Sequence, residues 1–147
     1  MPKTRYARDG RSPVPKNETV SRVMRANRSK HTSPEVSLRK GLRSAGLHDY
    51  TLHSPRLPGK PDVVFKKKRL AIFVNGCFWH RCPFCKQGIP KTNSAFWRNK
   101  FKNNVARDKK NVAALRRRGW HVTVVWECRL KKSVDRTVAR IERSYLA

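Results

Sequence analysis

Acidic side chains are scarce in this sequence, and three of them interrupt or begin apolar patterns. The 147 residues include 36 Lys and Arg but only 9 Asp and Glu. Glu35 and Asp108 share helical spacing with apolar residues, and Asp62 begins an apolar strand. Each acid alone is compatible with a helix cap or a buried salt bridge. Together they are candidates for holding Mg²⁺ against a phosphate group, as metal-assisted phosphoryl chemistry requires.

All four cysteines fall in a pattern that suits a metal ion. Cys77, Cys82 and Cys85 have the spacing C-x4-C-x2-C, and Cys128 follows a later predicted strand. Four thiolates of this kind form a closed, tetrahedral Zn²⁺ site that stabilises a fold. Two alternatives stay open, namely His80 as the fourth ligand in place of Cys128, and four unrelated buried cysteines.

His80 lies inside the cysteine segment, directly after Phe78 and Trp79. Histidine is suited to general acid or base catalysis near neutral pH, because its unperturbed pKa is about 6.5. The neighbouring aromatic side chains, with Trp97, either cover the core or stack on and wedge between bases. The other four histidines have no comparable context, and we predict them to be solvated or structural: His31, His48, His53 and His121.

The elements that must position these residues are predicted in the order α, β, β, β, α, β, α. A Ser-Pro-Glu helix start at residue 33 and glycines after two helices support the boundaries. The predicted helices are 33–45, 94–118 and 134–145, the strands are 50–53, 62–65, 70–75 and 120–126, and residues 77–85 are a compact loop. This pattern predicts an α/β or α+β domain with a mixed sheet flanked by helices.

The net charge of +27 predicts a polyanionic partner. Nucleic acid is the usual one, and an anionic membrane is the alternative, although no segment pairs a clean apolar face with a basic one. No apolar stretch approaches the roughly 20 residues that span a bilayer, and no signal peptide is visible, so we expect a cytoplasmic protein. Residues 1–17 are predicted to be a basic flexible arm and residues 18–147 the folded domain.

Five blocks resemble the very short patch repair (Vsr) mismatch endonucleases of bacteria, in the family's order over about residues 20–128. They are SRVMRANRSKHTSPE (21–35), LPGKPDVVF (57–65), FVNGCFWHRC (73–82), FWRNKFKNNVARDKKN (96–111) and LRRRGWHVTVVWEC (115–128). The resemblance implies a restriction-endonuclease-like fold with a structural zinc site. It also implies an enzyme that nicks DNA 5′ to the thymine of a T:G mismatch, the product of 5-methylcytosine deamination.

The resemblance further implies roles for individual residues. Mg²⁺ is held by Asp62 and the main-chain carbonyl of Val74. The catalytic residues are Asp62, His80, Asp108 and Glu35, with His80 as the general base. The zinc ligands are Cys77, Cys82, Cys85 and Cys128. The residues that contact DNA are Met24, Phe78, Trp79 and Trp97, which wedge beside the mismatch, and Lys100 and Asn104, which lie near the mismatched pair.

Two departures and two rival functions accompany this interpretation. The family often has His where this chain has Cys82, and Thr-His where it has Val74-Asn75.

One rival is a nicking or restriction-type endonuclease of the same fold without mismatch preference. The other is a non-catalytic, zinc-stabilised module that binds nucleic acid. The expected partner is double-stranded DNA with a T:G mismatch, with mismatch-repair proteins as further candidates, and a monomer is expected.

Overall fold

Four strands form one mixed sheet in the part of the chain that the computed structural model describes, residues 31–147. The strands are β1 Thr51–Leu52, β2 Val63–Phe65, β3 Leu70–Asn75 and β4 His121–Trp126. They lie in the order β1-β2-β3-β4, antiparallel from β1 to β3 and parallel between β3 and β4. The predicted mixed sheet is confirmed.

Helices flank this sheet. They are α1 Ser33–Ser44, α2 Cys77–His80, α3 Ser94–Arg117, α4 Glu127–Lys132 and α5 Val134–Leu146, and a 3-10 turn spans Lys66–Lys68. Helices α1, α3 and α5 match the predictions, and Gly46 and Gly119, with φ of 82° and 84°, follow the ends of α1 and α3. Helices α2 and α4 were not predicted, because neither is long enough to display helical periodicity.

The core lies between one face of the sheet and helices α1, α4 and α5. These helices pack on one another and contribute, with alternate residues of the strands, to one buried cluster: Leu38, Leu42, Leu47, Val63, Phe65, Leu70, Ile72, Val125, Leu130, Val138 and Ile141. Val64 and Ala71 point to the opposite face and are fully buried as well. Helix α3 is the crossover that parallel strands β3 and β4 require, and it packs against β4.

The parallel pairing of β3 and β4 brings two chain segments to one edge of the sheet. The last pair is Asn75 with Trp126, so the residues that follow both strands leave the sheet side by side. Among the described residues, no helix is long and apolar enough to cross a membrane. Met24, the basic arm 1–17 and its boundary at residue 18 lie outside the described residues, so those predictions stay predictions.

Candidate active site and cysteine cluster

Asp62 stands between a tight turn and the first residue of β2. Its N–H donates to the carbonyl of Ile72 at 2.9 Å, and its Oδ2 accepts the N–H of Val74 at 2.7 Å. The preceding turn requires Gly59, which has φ of +75° and lies so close to α3 that an added Cβ would meet the Asn111 Cβ at 2.9 Å. The turn therefore packs on α3, and Asp62 is fixed beside the carboxyl end of β3.

Glu35 and His53 complete a compact group with Asp62. Glu35, in the first turn of α1, is only 4% exposed, and its Oε2 lies 2.9 Å from the Nε2 of His53. One potential ligand atom from each of the three residues lies within 4.8 Å of the others. The structure thus brings two of the predicted catalytic acids together and adds a histidine.

Of the two alternatives predicted for His53, solvated or structural, the structure favours the second, because its side chain is only 11% exposed and is paired with Glu35. His53 follows β1, and Leu52 of β1 pairs with Val63 of β2, so His53 lies opposite Asp62, whose carbonyl accepts the N–H of His53 at 3.1 Å. A sequence signal existed: His53 ends a predicted strand, and Asp62 begins the next. Recognising it requires knowing the antiparallel register, which hydrophobic pattern alone does not give.

His80 and Asp108 form a second pair. His80 is the last residue of α2, Asp108 lies on α3, and the His80 Nδ1 and Asp108 Oδ2 atoms are 2.6 Å apart. Both side chains are partly open to solvent, at 29% and 28% exposure. When Nδ1 carries the proton that Asp108 accepts, Nε2 keeps its lone pair and is able to take a proton.

Burial raises the pKa of Asp62 to about 6, from an ordinary value of 3.8. The N–H of Val74 acts in the opposite direction, the negative charge of Glu35 raises the pKa further, and the charges of His53 and His80 lower it. His80 therefore lies close enough to Asp62 to act on its ionisation. The structure thus brings Glu35 and Asp62 together in one group and His80 and Asp108 together in a second pair.

Asp62→Asn should stabilise the Mg²⁺-free protein at pH 8, by about 1–3 kcal/mol. The folded-state pKa of about 6 lies above the unfolded value of 3.8, so ionisation of Asp62 disfavours the folded state above pH 6. This penalty falls as the pH is lowered toward 4. Urea unfolding at pH 8 and pH 5 should therefore give a larger gain at pH 8.

Asp135→Asn is the matched control, because Asp135 is an exposed acid in the first turn of α5. Its effect on the free energy of unfolding should be the same at both pH values. A destabilised Asp62→Asn protein, or a gain that does not depend on pH, would contradict the burial argument.

The four cysteines form one cluster where β3 and β4 end. Cys77 and Cys128 each lie two residues beyond the last strand pair, and the Cys128 N–H donates to the Cys77 Sγ at 3.3 Å. The Sγ atoms of Cys82 and Cys128 are 3.6 Å apart, and all four sulfurs lie within 4.8 Å of one another. The fourth member is Cys128, whereas His80 contacts Asp108.

The sulfur geometry fits a tetrahedral metal ion. With Zn–S bonds of about 2.3 Å, sulfurs of a tetrahedral site are roughly 3.8 Å apart, whereas a disulfide bond is only about 2.05 Å long. Burial raises the pKa of the Cys77 and Cys128 thiols. At Cys82, burial is outweighed by hydrogen bonds from the N–H groups of Cys85 and Phe84 together with those from the Cys128 and Cys85 thiols, which lower its pKa to about 7. A bound cation would offset the repulsion among four thiolates this close together.

Aromatic rings form a second cluster beside His80. The Phe78 ring lies edge-on to Trp79, Trp97 and Phe101, with centroids 5.1–5.6 Å apart, and the Trp79 and Trp97 rings are 5.6 Å apart. Phe101 is buried, whereas the other three rings are half-buried. The rings therefore pack together, as predicted for side chains that cover the core. Three of them also keep part of their surface exposed, as stacking on bases would require.

Lys100 and Asn104 lie on α3 beside these rings. Lys100 Nζ lies 6.0 Å from the Phe96 ring centroid. Asn104 is 9% exposed, its Nδ2 donates to the Trp79 carbonyl at 3.1 Å, and its Oδ1 accepts from Arg107 Nη2 at 3.0 Å. Asn104 therefore anchors the helical turn that carries Trp79 and His80.

The arrangement of sheet and helices has a counterpart among solved structures. The structure is similar to the catalytic domain of the homing endonuclease I-Bth0305I, with a TM-score of 0.55 over 78% of this chain and 95% of that domain. The sequence identity between the two is 23%, so the likeness concerns the fold alone.

The sequence defines the family. Residues 13–86 match the family model of the DNA mismatch endonuclease Vsr. The chain is 46% identical to the type II nicking enzyme V.XorIIP of Xanthomonas oryzae pv. oryzae, over 74% of this chain and 79% of that enzyme. It is 38% identical to the DNA mismatch endonuclease Vsr of Escherichia coli, over 77% of this chain and 72% of that protein. The chain therefore belongs to the Vsr DNA mismatch endonuclease family and is a DNA-binding endonuclease.

Proposed function

We propose that this protein nicks double-stranded DNA 5′ to the thymine of a T:G mismatch, by Mg²⁺-dependent hydrolysis of one phosphodiester bond. The observation that carries the proposal is the His80–Asp108 pair, at 2.6 Å, with the half-buried Asp62 close enough for the charge of His80 to lower its pKa. Membership of the Vsr family supports a mismatched substrate. Four of the relatives are named nicking enzymes at 37–46% identity, which supports cleavage of one strand.

The residues around Asp62 fit a hard divalent cation. The Asp62 carboxylate is one ligand, and the Val74 carbonyl is the second. A strand residue directs its N–H and carbonyl to the same side, and the Val74 N–H already points to Asp62. The raised pKa of Asp62 reflects a half-buried carboxylate whose charge a cation would stabilise. When bound there, Mg²⁺ offsets the negative charge that develops on the phosphate.

The chain's own residues supply the proton chemistry. His80 takes a proton from the attacking water on Nε2, because Asp108 holds the proton on Nδ1. Asp108 also stabilises the imidazolium that forms. Glu35, in the group with Asp62, orients water at the site. The water oxygen bonds to phosphorus as the bond from phosphorus to the 3′ oxygen breaks, and the leaving oxygen takes a proton from solvent, so the products are a 3′-hydroxyl and a 5′-phosphate.

The aromatic cluster beside His80 recognises the mismatch in this proposal. Phe78, Trp79 and Trp97, with Met24, wedge into the base stack, where opening is least costly because pairing is already poor. Lys100 and Asn104 lie near the mismatched base pair in this proposal. The cluster shares helix α2 with His80, so recognition and cleavage are fixed relative to one another.

A strand-nicking assay tests the proposal. Duplexes that differ only in one T:G pair, one matched pair or another mismatch are incubated with Mg²⁺ or with EDTA. We expect a single nick on the T-containing strand of the T:G duplex, at least about tenfold faster than on the matched duplex, because an unstacked or mismatched base costs a few kcal/mol less to open. EDTA should suppress it.

Two outcomes would contradict the proposal in different ways. Equal nicking of matched and T:G duplexes would favour a nickase of the same fold without mismatch preference. Binding without cleavage, whatever the cation, would favour a non-catalytic module. A monomeric state, a cytoplasmic location and contact with mismatch-repair proteins remain part of the proposal.

A further inference from the structure

The group formed by Glu35, His53 and Asp62 contains an imidazole nitrogen among carboxylate oxygens. Its members come from α1, from the residue after β1 and from the residue before β2. Glu35 is 4% exposed and the His53 side chain 11% exposed, so the group is largely shielded from bulk water. Its three potential ligand atoms lie within 4.8 Å of one another.

The spacing of these atoms fits an octahedral cation. Ligands about 2.1–2.2 Å from such an ion are roughly 3.0 Å apart when adjacent and about 4.3 Å apart when opposite. Glu35 Oε2 and His53 Nε2 are 2.9 Å apart, which matches adjacent positions, and a carboxylate oxygen of Asp62 lies within 4.8 Å of both atoms. Without a cation, the same 2.9 Å distance is that of a hydrogen bond between the two side chains.

The backbone at His53 holds the imidazole in this position. His53 has φ of 47°, a left-handed conformation that non-glycine residues rarely adopt. Its N–H donates to the Asp62 carbonyl at 3.1 Å. The cross-strand bond ties the position of His53 directly to that of Asp62.

We propose that His53, with Glu35 and Asp62, forms a mixed nitrogen and oxygen site that gives this enzyme a preference for Mn²⁺ over Mg²⁺. Mg²⁺ favours oxygen ligands alone, whereas an imidazole ligand favours first-row transition ions. The inference rests on the proposed function, because it concerns the cation that Asp62 holds. It goes further by assigning His53 as a ligand that sets which cation binds.

Cation binding to the DNA-free protein tests this inference without using activity. The protein is purified without chelator, so that the cysteine cluster keeps its metal, and Mn²⁺ is titrated while free Mn²⁺ is followed by electron paramagnetic resonance. Mg²⁺ competition then gives the ratio of the two affinities. We expect Mn²⁺ to bind at least about tenfold more tightly, and His53→Gln to lower that ratio at least about fivefold by weakening Mn²⁺ binding.

His48→Gln is the matched control, because His48 is exposed and lies outside this group. Its ratio should equal that of the parent. An unchanged ratio in His53→Gln would overturn the inference and leave His53 as the ion-pair partner of Glu35. Pulsed electron paramagnetic resonance of the Mn²⁺-loaded parent provides a second measurement, which does not depend on any variant folding. Modulation from a coordinated ¹⁴N nucleus supports the inference, and its absence overturns it.

The ratio of cation affinities tests the His53 site, and the nicking assay tests the proposed substrate, so either proposal can be rejected without the other. A parent protein with the expected Mn²⁺ preference but no preference for T:G duplexes would reject the proposed substrate and retain the cation site. Mismatch-specific nicking with equal Mn²⁺ and Mg²⁺ affinities would do the reverse.

Discussion

His80→Ala should slow nicking of a T:G duplex by about 10²- to 10⁴-fold, the range that a lost general base usually costs. His80 is able to accept a proton from water on Nε2, because Asp108 accepts the proton that Nδ1 carries. DNA affinity should change little, since the rings proposed to contact DNA are neighbours of His80 and are not altered. The measurement is single-turnover nicking, with binding followed separately by fluorescence anisotropy.

Asp108→Asn distinguishes a His80–Asp108 pair that takes part in catalysis from one that only packs. The asparagine amide has nearly the same size, but its NH₂ group is able to donate to Nδ1 and so favours the tautomer with its proton on Nε2. Nicking should fall by about 10²-fold or more, as expected when a base is held in the wrong tautomer. His121→Ala removes an exposed histidine of β4 and should leave the rate unchanged. Full activity in His80→Ala would reject the assignment.

Cys128→Ser should destabilise the protein severely, because structural Zn²⁺ in small domains contributes about 10–16 kcal/mol of apparent binding free energy to folding. Loss of even a quarter of this would lower Tm by roughly 10 °C in a chain of this size. Calorimetry of parent and variant measures the change, and elemental analysis should find about one zinc ion per parent chain.

Cys85→Ser distinguishes a metal site from a packed cluster. Cys85 is exposed, whereas Cys77 and Cys82 are both 3% exposed. If the cysteines only pack, an exposed Cys85 is replaced at little cost. If they bind a metal, the change at Cys85 should be comparable to that at Cys128. A parent protein that is stable and free of zinc would reject the site.

Much of the fold was predictable because its long elements carry strong periodic signals. The order of helices and strands, and the glycines after α1 and α3, followed from pattern and turn chemistry. Glu35 and Asp108 stood out because a charge within an apolar helical line must have a partner. The cysteines stood out by spacing, and the parallel register explains why Cys77 and Cys128 meet.

Other features depend on contacts that no local pattern reveals. His53 joins Asp62 through an antiparallel register and a left-handed backbone conformation, neither of which its neighbours in sequence specify. Asn104 is buried, and its amide donates to the Trp79 carbonyl because α2 packs on α3. Helix α4 buries only Leu130, so its sequence shows no apolar stripe with helical spacing.

The edge-to-face packing of Phe78, Trp79, Trp97 and Phe101 means that the rings are already ordered in the free protein. Flexible side chains would lose rotamer entropy on entering DNA, and that loss would weaken binding to every site alike. If these rings insert into DNA as proposed, the deformation of the duplex remains the main unfavourable contribution to binding. Differences in stacking between one base pair and another then appear in the affinity almost undiminished.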